Sequence, residues 1–437
     1  MAVAGAREPD RKVAGGVGLI AAIVMLQIYQ GYTLSVSGVA SPWIAQSFGL
    51  DQSGLARLFA WMSTSAFGSM LLARMADRVG RRRIILASLF LAPLFAAGAA
   101  AAAHPLEFAI FEILISALLG GSVSSAIVLL AEELPVETRA RGQAAAALAS
   151  AIGGALCYPI APLLIDHKWS WRWLLAPCVA GILLAPLIGR MLPAQTQWMR
   201  SHESGNATQS SFWDIFHPFY RRRSITLLVC AALDTIAGTA VNGWLYFDAV
   251  SIMGLAPEKA SVLVVTGMIV GMVGYPIGAW TSESIGRVPT VAWFGGAAWL
   301  GALAFYWGPP GPVSLPMLWL LASYCWFKVG SSIMTVGANA AATELLPADL
   351  RSTMVGWQMI TGAAFSILAQ TLIAALIAPL GGLTNVIKYG AILGIPSAII
   401  FGAFIDETRG LPIDVAAKEK QWHEIRALKT AAAGAAD

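Results

Sequence analysis

The sequence predicts an all-α integral membrane protein with 12 transmembrane helices in two six-helix bundles related by pseudo-two-fold symmetry. Three observations predict it. Of 437 residues, 57% are hydrophobic and only 12% charged, against the roughly half-apolar, quarter-charged mix of a soluble domain. The apolar residues gather into 12 runs, each about 18 to 26 residues long, the length that crosses a bilayer as a helix. Two different loop patterns recur at equivalent points of the two halves. Composition and length together exclude a water-soluble globule and leave no room for a soluble enzyme domain.

The runs begin near Gly16, Gly54, Ile84, Phe108, Gln143, Trp173, Thr226, Ala260, Thr290, Met317, Thr353 and Val386. The first follows a polar start and continues through Tyr29 and Tyr32 without a small-residue cleavage site, so it reads as a span and not a cleaved signal. If it runs outward, Lys and Arg collect on one side: Arg7, Arg11, Lys12, Arg74, Arg78, Arg81 to Arg83, Arg139, Arg141, Arg221 to Arg223 and the tail from Arg409 to Lys429. The other side keeps Arg57, Lys168, Arg172, Lys259 and Lys388. The positive-inside rule then places both termini in the cytoplasm of a multi-pass protein of the inner (plasma) membrane.

The longest interior polar stretch divides the spans six and six. The expected organisation is a cytoplasmic tail (1–14), an N-terminal bundle (15–192), a cytoplasmic linker (193–223), a C-terminal bundle (224–406) and a cytoplasmic tail (407–437). Within the linker, Phe212, Trp213, Ile215 and Phe216 beside Arg221 to Arg223 are expected to lie flat at the inner interface. Cys157, Cys178, Cys230 and Cys325 all sit in apolar runs without metal-ligand spacing and read as small core residues. The formal charge of +4 is too small an excess to suggest nucleic acid.

The repeats are specific. Asp77, Gly80 and Arg81 after the second span match Glu283, Gly286 and Arg287 after the eighth in identical spacing. Glu132, Pro135 and Arg139 after the fourth span match Glu344, Pro347 and Arg351 after the tenth. Glycine at 80 permits a tight interhelical turn. The surrounding charges, including Arg78, can pair across loops or with helix ends as a cytoplasmic gate, or simply hold the loops in the cytoplasm.

The run Asp77-Arg78-Val79-Gly80-Arg81-Arg82-Arg83 resembles the cytoplasmic signature of the major facilitator superfamily, and the paired Glu-x-x-Pro-x-x-x-Arg segments resemble its second conserved loop. The resemblance covers essentially the whole chain and implies the major facilitator fold. Gln30-Gly31-Tyr32-Thr33 occupies the place of an Asp-Gly-aromatic-Asp motif in the aromatic-acid and metabolite proton symporters, with both acids neutral here. Glu112 stands where that branch has Arg in its fourth span. Leu192 to Trp198 and Glu407-Thr408-Arg409-Gly410 are similar to sugar-porter segments. The chain thus resembles an outlying member of that branch, whose coupling acid and arginine it lacks.

An ionisable side chain at mid-membrane costs on the order of 2.5 to 3.5 kcal/mol on insertion scales. Asp234, about nine residues into the seventh span, and Lys328, about eleven into the tenth, lie roughly 14 and 16 Å deep. They either form a fixed ion pair that lets both be buried, or divide the work: Lys328 holds the negative group of a substrate and Asp234 gains and loses a proton. Glu112, nearer the outer surface, is either a second proton carrier or an acid wetted from the outer vestibule. Gln30, Tyr32, Asn242, Tyr246, Tyr324, Asn339 and Gln358 are candidates to complete the binding cavity, with Trp326 beside Lys328 as an aromatic wall. Apart from Tyr324 and Trp326, each is more often an interhelical hydrogen bond than a ligand contact.

The leading expectation is a secondary active transporter, not an enzyme, that moves a small organic anion such as an aromatic or other carboxylate with protons by alternating access. No cofactor or metal is called for, since the five His lie in loops or tails, and no Gly-x-x-x-x-Gly-Lys-Ser/Thr loop is present. The expected partners are the substrate, protons and the lipid bilayer, and one bundle pair suffices as a monomer. The competing expectation is proton-driven export of a lipophilic or cationic compound, with Asp234 and Glu112 attracting the charge.

Overall fold

A computed structural model describes residues 8–134, 136–166, 169–193, 213–308, 317–411, 413–418, 421–422 and 424. Among the described residues the chain is helical and holds no strand. Twelve segments follow in order: α1 (Glu8–Phe48), α2 (Gln52–Ser63 continued by Ser65–Val79), α3 (Arg81–Ala101), α4 (Pro105–Glu133), α5 (Val136–Asp166) and α6 (Trp171–Met191). They continue with α7 (Arg221–Ile252), α8 (Pro257–Ser284), α9 (Arg287–Trp307), α10 (Met317–Glu344), α11 (Ala348–Leu376) and α12 (Leu383–Phe404). Ten of them are long and apolar enough to cross a membrane among the described residues. The other two are α2 and α10, which fall short through their own polar residues: Ser63, Thr64, Ser65, Ser69 and Arg74 in α2, and Lys328, Ser331, Ser332, Thr335 and Asn339 in α10.

Local chemistry sets the breaks. Asp51 caps α2, its carboxylate accepting the Gly54 N–H at 2.7 Å and the Ser53 hydroxyl at 2.8 Å. Those two donors hold the Asp51 carboxyl below the usual carboxylate range. Gly80 closes α2 at φ 103° and Gly286 closes α8 at φ 115°. A side chain is strained at that φ, so the repeated loop needs glycine at both places.

The chain divides into two compact units, Met1–Ala207 with Tyr246–Val264, and Thr208–Leu245 with Val265–Asp437. In the first, α1 and α5 cross at glycines. A Cβ on Gly31 would run into the Ser150 carbonyl, and one on Gly153 into the Ile28 carbonyl. Tyr29 donates to the Cys178 carbonyl at 3.1 Å and Tyr32 to the Leu174 carbonyl at 2.9 Å, tying α1 to α6. Cys157, Cys178 and Cys230 are free and buried.

In the second unit, α8 lies on α10 along Gly267, Gly271, Gly274 and Gly278, which meet Tyr324, Lys328, Val329 and Ile333 in turn. The duplication extends to these contacts. Gly68 of α2 stands against Ala117 of α4, as Gly274 of α8 stands against Val329 of α10. Both glycines precede their loop glycine by twelve residues, and Ala117 and Val329 both precede the loop glutamate by fifteen. The linker departs from expectation at Ile215. Ile215 is buried in a core with Tyr220, Leu345, Leu346, Leu350 and Trp422, while Trp213 and Phe216 stack on Trp357 at 5.4 and 4.9 Å. Ile215 is therefore spent on protein contacts, while Trp213 stays 65% exposed and Phe212 lies outside the described residues.

Candidate functional site

Lys328 is half-buried on the face of α10 turned to α8, its Cβ against Gly271. Because side chains four apart share a helix face, Tyr324 lies one turn away on the same face, against Gly267 and beside Phe305 and Phe327. Ser331, Ser332, Thr335 and Asn339 continue a polar stripe toward the end of the helix, with Thr335 and Asn339 exposed. Trp326 is not part of an aromatic wall with Tyr324. Two residues from Lys328, it points to another side of the helix, where its indole N–H donates to the Ala297 carbonyl at 2.9 Å.

Asp234 has different company. Its polar neighbours are the Ser397 hydroxyl and the Trp299 indole. Ser397 is itself engaged with the Cys230 carbonyl, and both Asp234 Oδ1 and Trp299 Nε1 make no hydrogen bond. Among the described residues no ion pair joins Asp234 to Lys328. A line of rings lies between their surroundings instead: Trp299 to Phe327 at 5.3 Å and Phe327 to Tyr324 at 6.4 Å.

The other polar candidates separate. Asn242 and Asn339 are exposed and Gln358 is half-buried. Tyr246 is buried in the first unit, its hydroxyl 3.3 Å from Ser261 Oγ and its ring 5.4 Å from Tyr158 and 6.2 Å from Trp43. Tyr32 spends its hydroxyl on the Leu174 carbonyl. Gln30 is buried and donates to the Leu119 carbonyl at 3.5 Å, leaving its Oε1 unpaired. Glu112 is buried against Ser37 of α1.

The loop ends of the second unit form a connected charge cluster. Arg287 binds Glu344 at 3.0 Å, the other Glu344 oxygen accepts the Thr408 hydroxyl, and Glu407 accepts the Arg287 and Val288 N–H groups at 3.0 and 2.9 Å. An acid there also complements the positive start of α9. Arg351 donates to the Leu346 carbonyl at 2.9 Å, while Glu283 is exposed outside this cluster. In the first unit Arg81 is buried, Arg78 is exposed, and the side chains of Asp77, Glu132 and Arg139 lie outside those described.

Sequence reasoning missed Arg223. It pairs with Asp406 at 2.8 Å and donates to the carbonyls of Leu345 and Ala416 at 3.1 and 2.9 Å. It also missed the Trp244 to Gln370 bond of 3.0 Å between α7 and α11. The only sequence signal for the first was an arginine at the start of a span, which positive-inside bias also explains.

These features meet a known pattern. The family model described as Major Facilitator Superfamily matches residues 21–370. A gentisate transporter of Corynebacterium glutamicum is 24% identical over 373 residues, covering 83% of this chain and 82% of its own. A gallate transporter of Pseudomonas putida is 23% identical over 387 residues, covering 82% and 84%. The crystal structure of a D-xylose-proton symporter superposes with a TM-score of 0.67 at 16% identity, over 90% of this chain and 98% of that one. With its duplicated loops, glycine seams and twelve helical segments, the chain belongs to the Major Facilitator Superfamily and is a multi-pass membrane transport protein, not an enzyme.

Proposed function

We propose that the chain is a secondary active transporter that takes up a small aromatic carboxylate together with protons, by exposing one binding site alternately to the two sides of the membrane. The carrying observation is Lys328: a half-buried cation within α10, at the head of a polar stripe, with no carboxylate paired to it among the described residues. A cation so placed is costly to keep unless it meets an anion. The carboxylate of a substrate supplies one, and Tyr324 one turn away supplies an aromatic neighbour. The names of the two relatives support the substrate class, since gentisate and gallate are hydroxylated benzoates.

In this reading Asp234 and Glu112 are the groups that take up and release protons. Asn242, Asn339 and Gln358 belong to the substrate path, with Gln30, Tyr32 and Tyr246 as its supports. The Arg287–Glu344 cluster is part of a cytoplasmic gate. The protein works as a monomer in the inner membrane, with both termini and the 193–223 linker in the cytoplasm and bundles at 15–192 and 224–406.

Uptake into proteoliposomes tests this directly, with labelled hydroxybenzoates, an aliphatic carboxylate, a sugar and one organic cation under an imposed inward proton gradient. Accumulation of a hydroxybenzoate that rises as the outer medium is acidified and collapses with an uncoupler supports the proposal. Movement of the organic cation alone, against the gradient, replaces it with proton-driven export.

A further inference from the structure

One face of α1 carries Gln27, Gln30, Ser37 and Ser41, spaced so that all four point within about 80° of each other at 100° per residue. That face meets α4 in antiparallel register. Ser37 stands against Glu112, and Gln30, seven residues back along α1, donates to the Leu119 carbonyl, seven residues on along α4. Extended by three residues along each helix, the same register puts Gln27 and Ser122 at one level. At 1.5 Å per residue the rungs lie about 10 and 15 Å from the first.

The rungs share one property. Gln27 Oε1, Gln30 Oε1, Ser37 Oγ and Ser122 Oγ are all buried without a hydrogen-bond partner. Their residues are 2%, 0%, 7% and 0% exposed, and Glu112 itself is 4% exposed. A buried unpaired oxygen is costly to keep, so four aligned ones in a single helix interface are not incidental. Buried polar atoms of this kind are ordinarily bridged by internal water, which needs two to four polar partners, and each rung offers them. Leu26 on α1 and Ile115 and Ala126 on α4, all buried and a turn away from the rungs by helical spacing, keep any such path narrow.

We propose that this ladder is a hydrated relay that carries protons between Glu112 and the Gln27–Ser122 end of the first unit. It rests on the reading of Glu112 as a proton carrier. Glu112 gives its proton to the first water and becomes a carboxylate; each water accepts one proton and passes one on; the reverse order reprotonates it. No other bond forms or breaks. The groups beside Glu112 are the Ser37 hydroxyl on α1 and the Cys178 thiol on α6, with the Tyr29 phenol bonded to the Cys178 carbonyl. Gln27 and Ser122 are positioning residues, which hold the water and touch no substrate.

The test compares wild type, Glu112→Gln, and the double variant Gln27→Leu with Ser122→Ala in proteoliposomes. Hydroxybenzoate exchange at equal pH on both sides controls for folding and binding. Proton-gradient-driven accumulation and the rate at which the Glu112 carboxyl infrared band shifts in D2O are the readouts, the band being assigned by its loss in Glu112→Gln. The expected result is exchange within two-fold of wild type, with accumulation and band shift each slowed at least ten-fold in the double variant. Wild-type accumulation and band shift in the double variant overturn the relay while leaving the transport reading intact. Wild-type accumulation in Glu112→Gln overturns the reading of Glu112 beneath it.

Discussion

Arg287 and Glu344 hold each other at 3.0 Å, both mostly screened from water, although 57 residues separate them. The pair joins the first turn of α9 to the last turn of α10, and Thr408 and Glu407 of the tail fasten to the same two residues. A charge pair held this way fastens these loop ends to one another.

The first prediction concerns that pair. Removing one partner leaves the other partly buried and uncompensated, a loss of about 1–3 kcal/mol at this intermediate exposure. Arg287→Gln and Glu344→Gln should therefore each lower the apparent Tm of the detergent-solubilised protein. If the cluster serves the gate proposed above, each should also slow uptake by roughly 5- to 100-fold. The exchanged variant, Arg287→Glu with Glu344→Arg, should recover part of both. Single variants that transport and melt as wild type would show the cluster to be a bystander.

Lys328 carries the second prediction. A hydrogen bond to a charged group contributes about 1.5–3 kcal/mol, so Lys328→Ala should weaken hydroxybenzoate binding by roughly 10- to 100-fold in equilibrium titration. Lys328→Arg should keep part of the affinity, because charge is retained while a planar guanidinium replaces the compact ammonium. Equal binding by Lys328→Ala and wild type would remove the substrate role.

Asp234 should behave differently from Lys328, because it faces Ser397 and Trp299 and not the α8–α10 seam. Asp234→Asn keeps the shape and removes the titration. Substrate exchange at equal pH should survive within a few-fold, while accumulation driven by a proton gradient is abolished. Loss of both activities together would make Asp234 part of the binding site or of the scaffold.

The fold was largely legible, because its determinants are local or periodic. Apolar run length announced the helices, and the spacing around Gly80 and Gly286 announced the duplication that the paired contacts Gly68–Ala117 and Gly274–Val329 repeat in three dimensions. Burial cost singled out Asp234, Lys328 and Glu112 as candidates for the site. Direction was not legible. Tyr324 and Trp326 both flank Lys328 in sequence, yet only the one four residues away shares its face. Tyr32 and Tyr246 looked like cavity residues because a tyrosine in a span is polar at one end, but each hydroxyl already meets another part of the first unit. Arg223 could not be read at all, since its partner Asp406 is 183 residues away and no spacing rule links them.

The last prediction follows from the glycine crossings. A Cβ on Gly153 would occupy the place of the Ile28 carbonyl, a backbone atom that cannot swing aside, so α1 and α5 would have to separate. Overpacking of this kind costs about 1–3 kcal/mol or more. It also widens the interface beside Tyr29 and Tyr32, whose hydroxyls fix α1 to α6. Gly153→Ala should lower the apparent Tm in detergent by several degrees and reduce the yield of monodisperse protein. Gly296 of α9 provides the contrast, because nothing lies within 4 Å of the Cβ it would gain. There alanine adds only helix propensity, up to about 1 kcal/mol in favour of the folded helix, so Gly296→Ala should melt at or slightly above wild type. A Gly153→Ala protein as stable as Gly296→Ala would mean that the α1–α5 crossing relaxes at no cost, and that close glycine packing does not set the separation of these two helices.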